Sequence, residues 1–121
     1  TAPLIKIEHL KLGYELLKDE RLSSVFPIVD FSYPVWRGLK FNEKDRTEMI
    51  WPEFTNSRSQ DLEKGFHDAG QWYWYDPLKI TDSLFTNNTK SVVISEIEVQ
   101  DIDTITDWKL AEMKYELIQN T

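Results

Sequence analysis

Val92-Val93-Ile94-Ser95-Glu96-Ile97-Glu98-Val99-Gln100-Asp101-Ile102-Asp103-Thr104, running on into Ile105-Thr106-Asp107-Trp108, decides how this chain is read. Residues 92–99 alternate in part between apolar and polar side chains, which predicts a strand. From residue 104 to 118 the spacing becomes helical, and Trp108, Ala111, Tyr115 and Ile118 form the stripe predicted to be buried. Thr104 with Asp107 three residues on resembles a capping box, with Asp replacing the usual Glu or Gln. A strand that gives way to a helix marks the carboxyl edge of an open α/β sheet, where ligands bind. In extended chain Asp101 and Asp103 project to the same side. Two carboxylates placed there can hold Mg²⁺, which takes hard oxygen ligands and keeps water or phosphate in its other positions. A plainer reading stands beside this one: Asp103 and Thr104 cap the helix, and Asp101 is a solvated loop residue.

Working outward, Ile7, Leu10, Tyr14 and Leu17 recur at helical spacing, opposite Glu8, Lys11, Glu15 and Lys18. Gly13 inside that helix costs about 1 kcal/mol relative to alanine, so a close neighbour is expected there. Residues 23–31 form an apolar run predicted to be a buried strand, and Pro27 within it points to an edge or a bulge. Residues 35–41 and 46–51 flank Asn42-Glu43-Lys44-Asp45, the pattern of a β-hairpin. Residues 52–64 are polar and irregular, with room for a short helical turn. The aromatics of Gln71-Trp72-Tyr73-Trp74-Tyr75 favour a strand, and residues 84–88 are expected to be loop. Helix, strand, inserted hairpin, strand and helix together predict an α/β domain, the second half of a doubly wound sheet.

Composition narrows the function. The 121 residues are 40% hydrophobic and contain no cysteine, so neither disulfides nor thiolate metal sites are available. A net charge of −7 argues against a nucleic-acid surface, which needs a basic stripe to displace phosphate counterions. Small anions remain possible ligands, since a few local arginines suffice. No apolar run is long enough to span a membrane, and a cytoplasmic location is the expectation.

Three further segments could carry chemistry. In Thr55-Asn56-Ser57-Arg58-Ser59-Gln60-Asp61-Leu62 an arginine sits among small polar residues and can fork onto a carboxylate or phosphate, or be an ordinary surface arginine. In Phe66-His67-Asp68-Ala69-Gly70-Gln71-Trp72-Tyr73-Trp74 the Ala-Gly pair allows close backbone approach and Gln71 and Tyr73 offer hydrogen bonds; alternatively this is a turn entering an aromatic strand. Tyr33-Pro34-Val35-Trp36-Arg37-Gly38-Leu39-Lys40 could bind an anion or form the basic rim of an edge strand. With two histidines and no nucleophile signature, a hydrolase triad is not expected.

Taken in order, these segments resemble the nonulosonate cytidylyltransferase family. Thr1-Ala2-Pro3-Leu4 resembles the end of its Pro-Thr-Ser-Pro-Leu motif, Arg58-Ser59-Gln60-Asp61 its Arg-Gln loop, and Gln100-Asp101-Ile102-Asp103-Thr104 its Asp-Ile-Asp-Thr motif. His67-Asp68-Ala69-Gly70-Gln71 is most similar to the pseudaminic acid branch. The resemblance implies transfer of CMP from CTP to a nine-carbon sugar acid, with Mg²⁺ and release of pyrophosphate. It implies a doubly wound nucleotide-diphospho-sugar-transferase-like sheet whose inserted hairpin region makes a homodimer. By the same resemblance Asp101 and Asp103 hold the metal and act in catalysis with Arg58. Arg58 and Gln60 orient the sugar acid, Gln71 and Tyr73 line its pocket, and Arg37 is a weaker anion contact. The family's Ala-Arg-Gly-Gly-Ser-Lys type of nucleotide loop has no counterpart in residues 1–121. The expectation is therefore the C-terminal half of a cytidylyltransferase domain, inactive alone and prone to dimerise or swap elements. The rival from another class is a non-enzymatic dimerisation or sugar-binding module; a third reading keeps the chemistry with sialic acid, legionaminic acid or KDO as acceptor.

Overall fold

The computed structural model describes all 121 residues, Thr1–Thr121. Strand β1 (Ser24–Asp30) organises it, and its sequence explains why: Ser-Val-Phe-Pro-Ile-Val-Asp is apolar at nearly every position, the pattern of a strand covered on both faces. Val25 and Val29 are buried with Ala69, Trp72, Val92 and Ile94 in one cluster, against which Leu10, Leu16 and Leu17 pack. Phe26 points the other way, as period-2 alternation requires, and packs edge-on to Phe85 at 5.2 Å and against Tyr73 at 5.5 Å.

The sheet is mixed. β6 (Thr89–Val93) runs parallel to β1 in the register Ser24↔Thr89 to Ile28↔Val93, and β5 (Trp74–Tyr75) runs antiparallel to it. β4 (Phe66–Asp68) also pairs with β1. β1 is thus central, although Pro27 predicted an edge or a bulge. The Pro27 carbonyl accepts from Ala69 N at 3.1 Å, so its nitrogen faces the irregular residues between β4 and β5. A strand that needs no N–H at that point tolerates proline.

Two compact units divide the chain: residues 1–29 with 68–121, and residues 30–67. In the first, helix α1 (Ile7–Leu17) packs on β5 and β6. Gly13 is buried in it, and a Cβ there would lie 2.5 Å from the Trp72 ring, so the expected close neighbour is Trp72. The Trp74 indole crosses the same helix and donates to the Leu10 carbonyl at 2.9 Å. Only Trp74–Tyr75 of the predicted aromatic strand pairs, because Gly70 turns the chain with φ +69 and Trp72 is spent covering Gly13. The predicted strand over 92–99 also ends early: β6 stops at Val93 and a 3₁₀ turn occupies Glu96–Glu98. Helix α2 (Ile105–Gln119) packs against that turn.

In the second unit β2 (Leu39–Phe41) and β3 (Thr47–Met49) form the predicted hairpin, with Leu39 opposite Met49. Asn42 Oδ1 accepts from Lys44 N and Arg46 N, and Asp45 adopts φ 58, a conformation that aspartate tolerates in turns. The irregular stretch beyond contains two 3₁₀ turns, Pro52–Phe54 and Ser59–Asp61. Trp36 holds it with ring contacts to Trp51 and Phe54 and an indole bond to the Glu63 carbonyl. No helix is long and apolar enough to cross a membrane.

Candidate active site

The residues singled out from sequence divide between the units. Gln71, Tyr73, Asp101 and Asp103 lie in the first; Arg37, Arg58 and Gln60 lie in the second.

Asp101 and Asp103 occupy the turn between the Glu96–Glu98 segment and α2, and both are exposed. The capping box is present. Asp107 N donates to Thr104 Oγ1 at 3.1 Å, and Asp107 Oδ2 accepts from Thr104 N at 2.9 Å and Asp103 N at 3.0 Å. These bonds, first that from Asp103 N, hold the Asp107 carboxyl below the usual carboxylate range. Asp103 thus gives the cap its backbone N–H, while its carboxylate takes no part in it. Asp101 Oδ1 accepts from Ile102 N at 3.0 Å and from the Thr1 ammonium at 2.9 Å. The ammonium is the main cause of a lowered Asp101 pKa, and its own pKa is raised by Asp101 first and, more weakly, by Asp103. Two exposed carboxylates two residues apart are the oxygen donors that Mg²⁺ takes, with water and phosphate completing its shell. No group of three or more His, Cys, Asp or Glu side chains is placed to hold a metal by itself.

Tyr73 donates its hydroxyl to Asp68 Oδ2 at 2.7 Å, and Asp68 Oδ1 accepts from Gly70 N at 2.7 Å. That bond to a carboxylate, aided by burial, pushes the Tyr73 phenol up to about 12. The hydroxyl stays neutral and aimed, with oxygen lone pairs left to accept from a ligand. Gln71 is turned inward: its Nε2 donates to the Glu98 carbonyl at 2.7 Å and its Oε1 is buried.

Arg58 precedes the Ser59–Asp61 turn and its Nε donates to Asp61 Oδ2 at 3.0 Å. The side chain is 73% exposed, so the rest of the guanidinium fork faces solvent. Gln60 lines a groove of about 360 Å³ with Tyr33, Ser59 and Lys64. Arg37 is committed to its own unit: Nη1 donates to Ser57 O at 2.8 Å and Phe54 O at 3.3 Å, tying down the loop that leads to Arg58.

The predicted apolar stripe of α2 is not covered. Ala111 is buried, but Trp108 and Tyr115 remain 56% and 55% exposed. They line an open groove of about 490 Å³ with Pro3, Leu4 and Ile102. Helical spacing placed these side chains on one face and said nothing of what meets it.

Sequence comparison bears on the family resemblance. Over 123 aligned residues the chain is 33% identical to the pseudaminic acid cytidylyltransferase of Campylobacter jejuni subsp. jejuni serotype O:2, covering 97% of this chain. Over nearly its whole length the chain is similar to part of a protein named pseudaminic acid cytidylyltransferase. A second such cytidylyltransferase, from C. jejuni serotype O:23/36, is 32% identical over the same 97%. A Helicobacter pylori protein named pseudaminic acid cytidylyltransferase and UDP-2,4-diacetamido-2,4,6-trideoxy-beta-L-altropyranose hydrolase is 32% identical over 84% of the chain. The chain spans 51% of the length of each Campylobacter cytidylyltransferase and 20% of the Helicobacter protein. No family model matches it.

Proposed function

We propose that this chain is the acceptor-side portion of an enzyme that transfers CMP from CTP to a nonulosonic acid, pseudaminic acid by its relatives' names, releasing pyrophosphate. One observation carries the reading: the chain is similar over 97% of its length to a protein named for this transfer, and it places Asp101 and Asp103 exposed, two residues apart, on the turn that leads into α2. In phosphoryl-type transfer the protein mainly aligns the reactants and neutralises phosphate charge.

Within that reading Asp101 and Asp103 hold Mg²⁺, which when bound offsets charge on the triphosphate oxygens. The cap at Thr104 and Asp107 fixes the backbone at Asp103. Arg58, steadied along one edge by Asp61, presents its fork to the carboxylate of the sugar acid, and Gln60 offers an amide to its hydroxyls. Tyr73, held by Asp68, accepts from a sugar hydroxyl. Gln71 and Arg37 serve by positioning backbone rather than by touching substrate. The sheet belongs to a doubly wound nucleotidyltransferase scaffold, and the β2–β3 hairpin is its dimerisation element.

The test is to join this chain to the N-terminal portion of the Campylobacter relative and follow pyrophosphate release with CTP and a panel of sugar acids. Turnover is expected with pseudaminic acid and a drop of about a hundredfold or more in kcat for Asp101→Ala or Asp103→Ala, with unfolding midpoints little changed. Equal turnover by both alanine variants removes the metal role. Absence of turnover with every acid, alongside retained sugar binding, favours the non-enzymatic module.

A further inference from the structure

We infer that Glu98 is a positioning residue: with Lys6 and His9 it forms a partly buried ionic clamp that fixes the turn carrying Asp101 and Asp103. The inference deepens the metal reading above and rests on it for its consequence, but the clamp itself stands on separate observations.

Glu98 ends the 3₁₀ turn three residues before Asp101, and its side chain is only 14% exposed. Its Oε1 accepts from Lys6 Nζ at 2.9 Å. Its Oε2 lies 3.5 Å from His9 Nδ1, and each of these two buried atoms lacks a hydrogen-bond partner elsewhere. Two orphaned buried polar atoms facing each other are costly apart and satisfied together. A hydrogen on His9 Nδ1 makes the pair a bond after a shift of a few tenths of an ångström. The backbone is seized as well: Gln71 Nε2 donates to Glu98 O at 2.7 Å and Lys114 Nζ donates to Val99 O at 2.7 Å.

Four side chains thus converge on two consecutive residues. They come from the approach to α1, from α1 itself, from the Gly70 turn and from α2. Nothing in the local sequence demands this, since a three-residue 3₁₀ turn needs no such anchoring. Beyond the clamp, a short irregular run leads to Thr104, where the capping box fixes its far end. The carboxylate turn is therefore held from both ends. A carboxylate pair that must meet a metal with a demanding octahedral shell gains most from a rigid backbone.

The test compares the 121-residue chain with Glu98→Gln, Lys6→Gln and Lys6→Arg, using amide hydrogen exchange and line broadening by Mn²⁺ alone in NMR spectra. For Glu98→Gln and Lys6→Gln, exchange is expected to quicken by about tenfold at residues 99–103 while β1 keeps its protection. Lys6→Arg, which keeps the ion pair, restores wild-type exchange; Lys6→Gln serves alone if Glu98→Gln does not fold. Exchange at 99–103 that is unchanged, or that rises equally in β1, overturns the clamp. Broadening by Mn²⁺ at Asp101 and Asp103 in the wild type, weakened by about tenfold in Lys6→Gln, ties the clamp to the metal. Wild-type broadening that Lys6→Gln leaves intact overturns that link, while no broadening in the wild type overturns the metal reading and leaves exchange to decide the clamp.

Discussion

The strand β1 and the loop around Arg58 are opposite kinds of structure. Val25, Phe26 and Val29 are buried to 2% exposure or less, and their neighbours come from β5, β6, α1 and the segment around Trp72. Arg58 is 73% exposed and its ion pair is with Asp61, three residues away. One region is determined by the whole first unit; the other is determined locally and keeps its guanidinium turned to water. Burial and solvent-facing charge thus fall on different residues, so each can be changed without the other.

The contrast predicts unequal costs. Phe26→Ala empties a site between Tyr73 and Phe85 and should lower stability by about 3–5 kcal/mol. Arg58→Ala should stay within about 0.5 kcal/mol; urea unfolding of both variants measures the gap, and similar midpoints would erase it. Next in size is Gly13→Ala. Helix propensity alone favours it by about 1 kcal/mol, but the new methyl meets the Trp72 ring at 2.5 Å, so a net loss of about 1–3 kcal/mol is expected. Trp72→Phe removes the ring atoms in question, and the double variant should recover part of that loss; strict additivity would deny the contact.

The smallest effect lies at Tyr73, where the core meets the candidate site. Its folded pKa is raised to about 12 by Asp68, against about 10 for a free phenol. A raised folded pKa means the pair contributes stability below pH 10 and loses it as pH climbs through 12. Because Tyr73 is 41% exposed, solvent screening keeps this contribution small. Ultraviolet titration should show one late phenol in the wild type, moved toward 10 in Asp68→Asn; five tyrosines titrating together in the wild type would refute the pairing.

Much of this was legible from residue order alone. The spacing of Leu10 and Leu17 marked α1, Thr104 and Asp107 marked the start of α2, and Asn42 to Asp45 marked the hairpin turn, because each rests on contacts within a few residues. The features that eluded residue order depend on distant partners. Trp72 left the predicted strand to cover Gly13, and Pro27 sits in a central strand because its nitrogen meets irregular chain. Trp108 and Tyr115 show the limit of periodicity, which groups side chains without naming what they face. At the candidate site, Asp101, Asp103 and Arg58 drew notice by residue type. Glu98 and His9 did not, since a glutamate in a mixed run carries no signal until Lys6 and His9 are seen beside it.

The parallel register of β1 with β6 joins Ser24 to Thr89, and this bears on how the chain acquires its shape. Parallel pairing across so long a loop is slow, because ring closure precedes any reward. During synthesis that edge of β1 must wait for residues up to Val93 to leave the ribosome, and in the interval Val25, Phe26 and Ile28 are open to chaperones or to the wrong strand. Nascent-chain lengths on either side of residue 93 should therefore differ sharply in protease resistance.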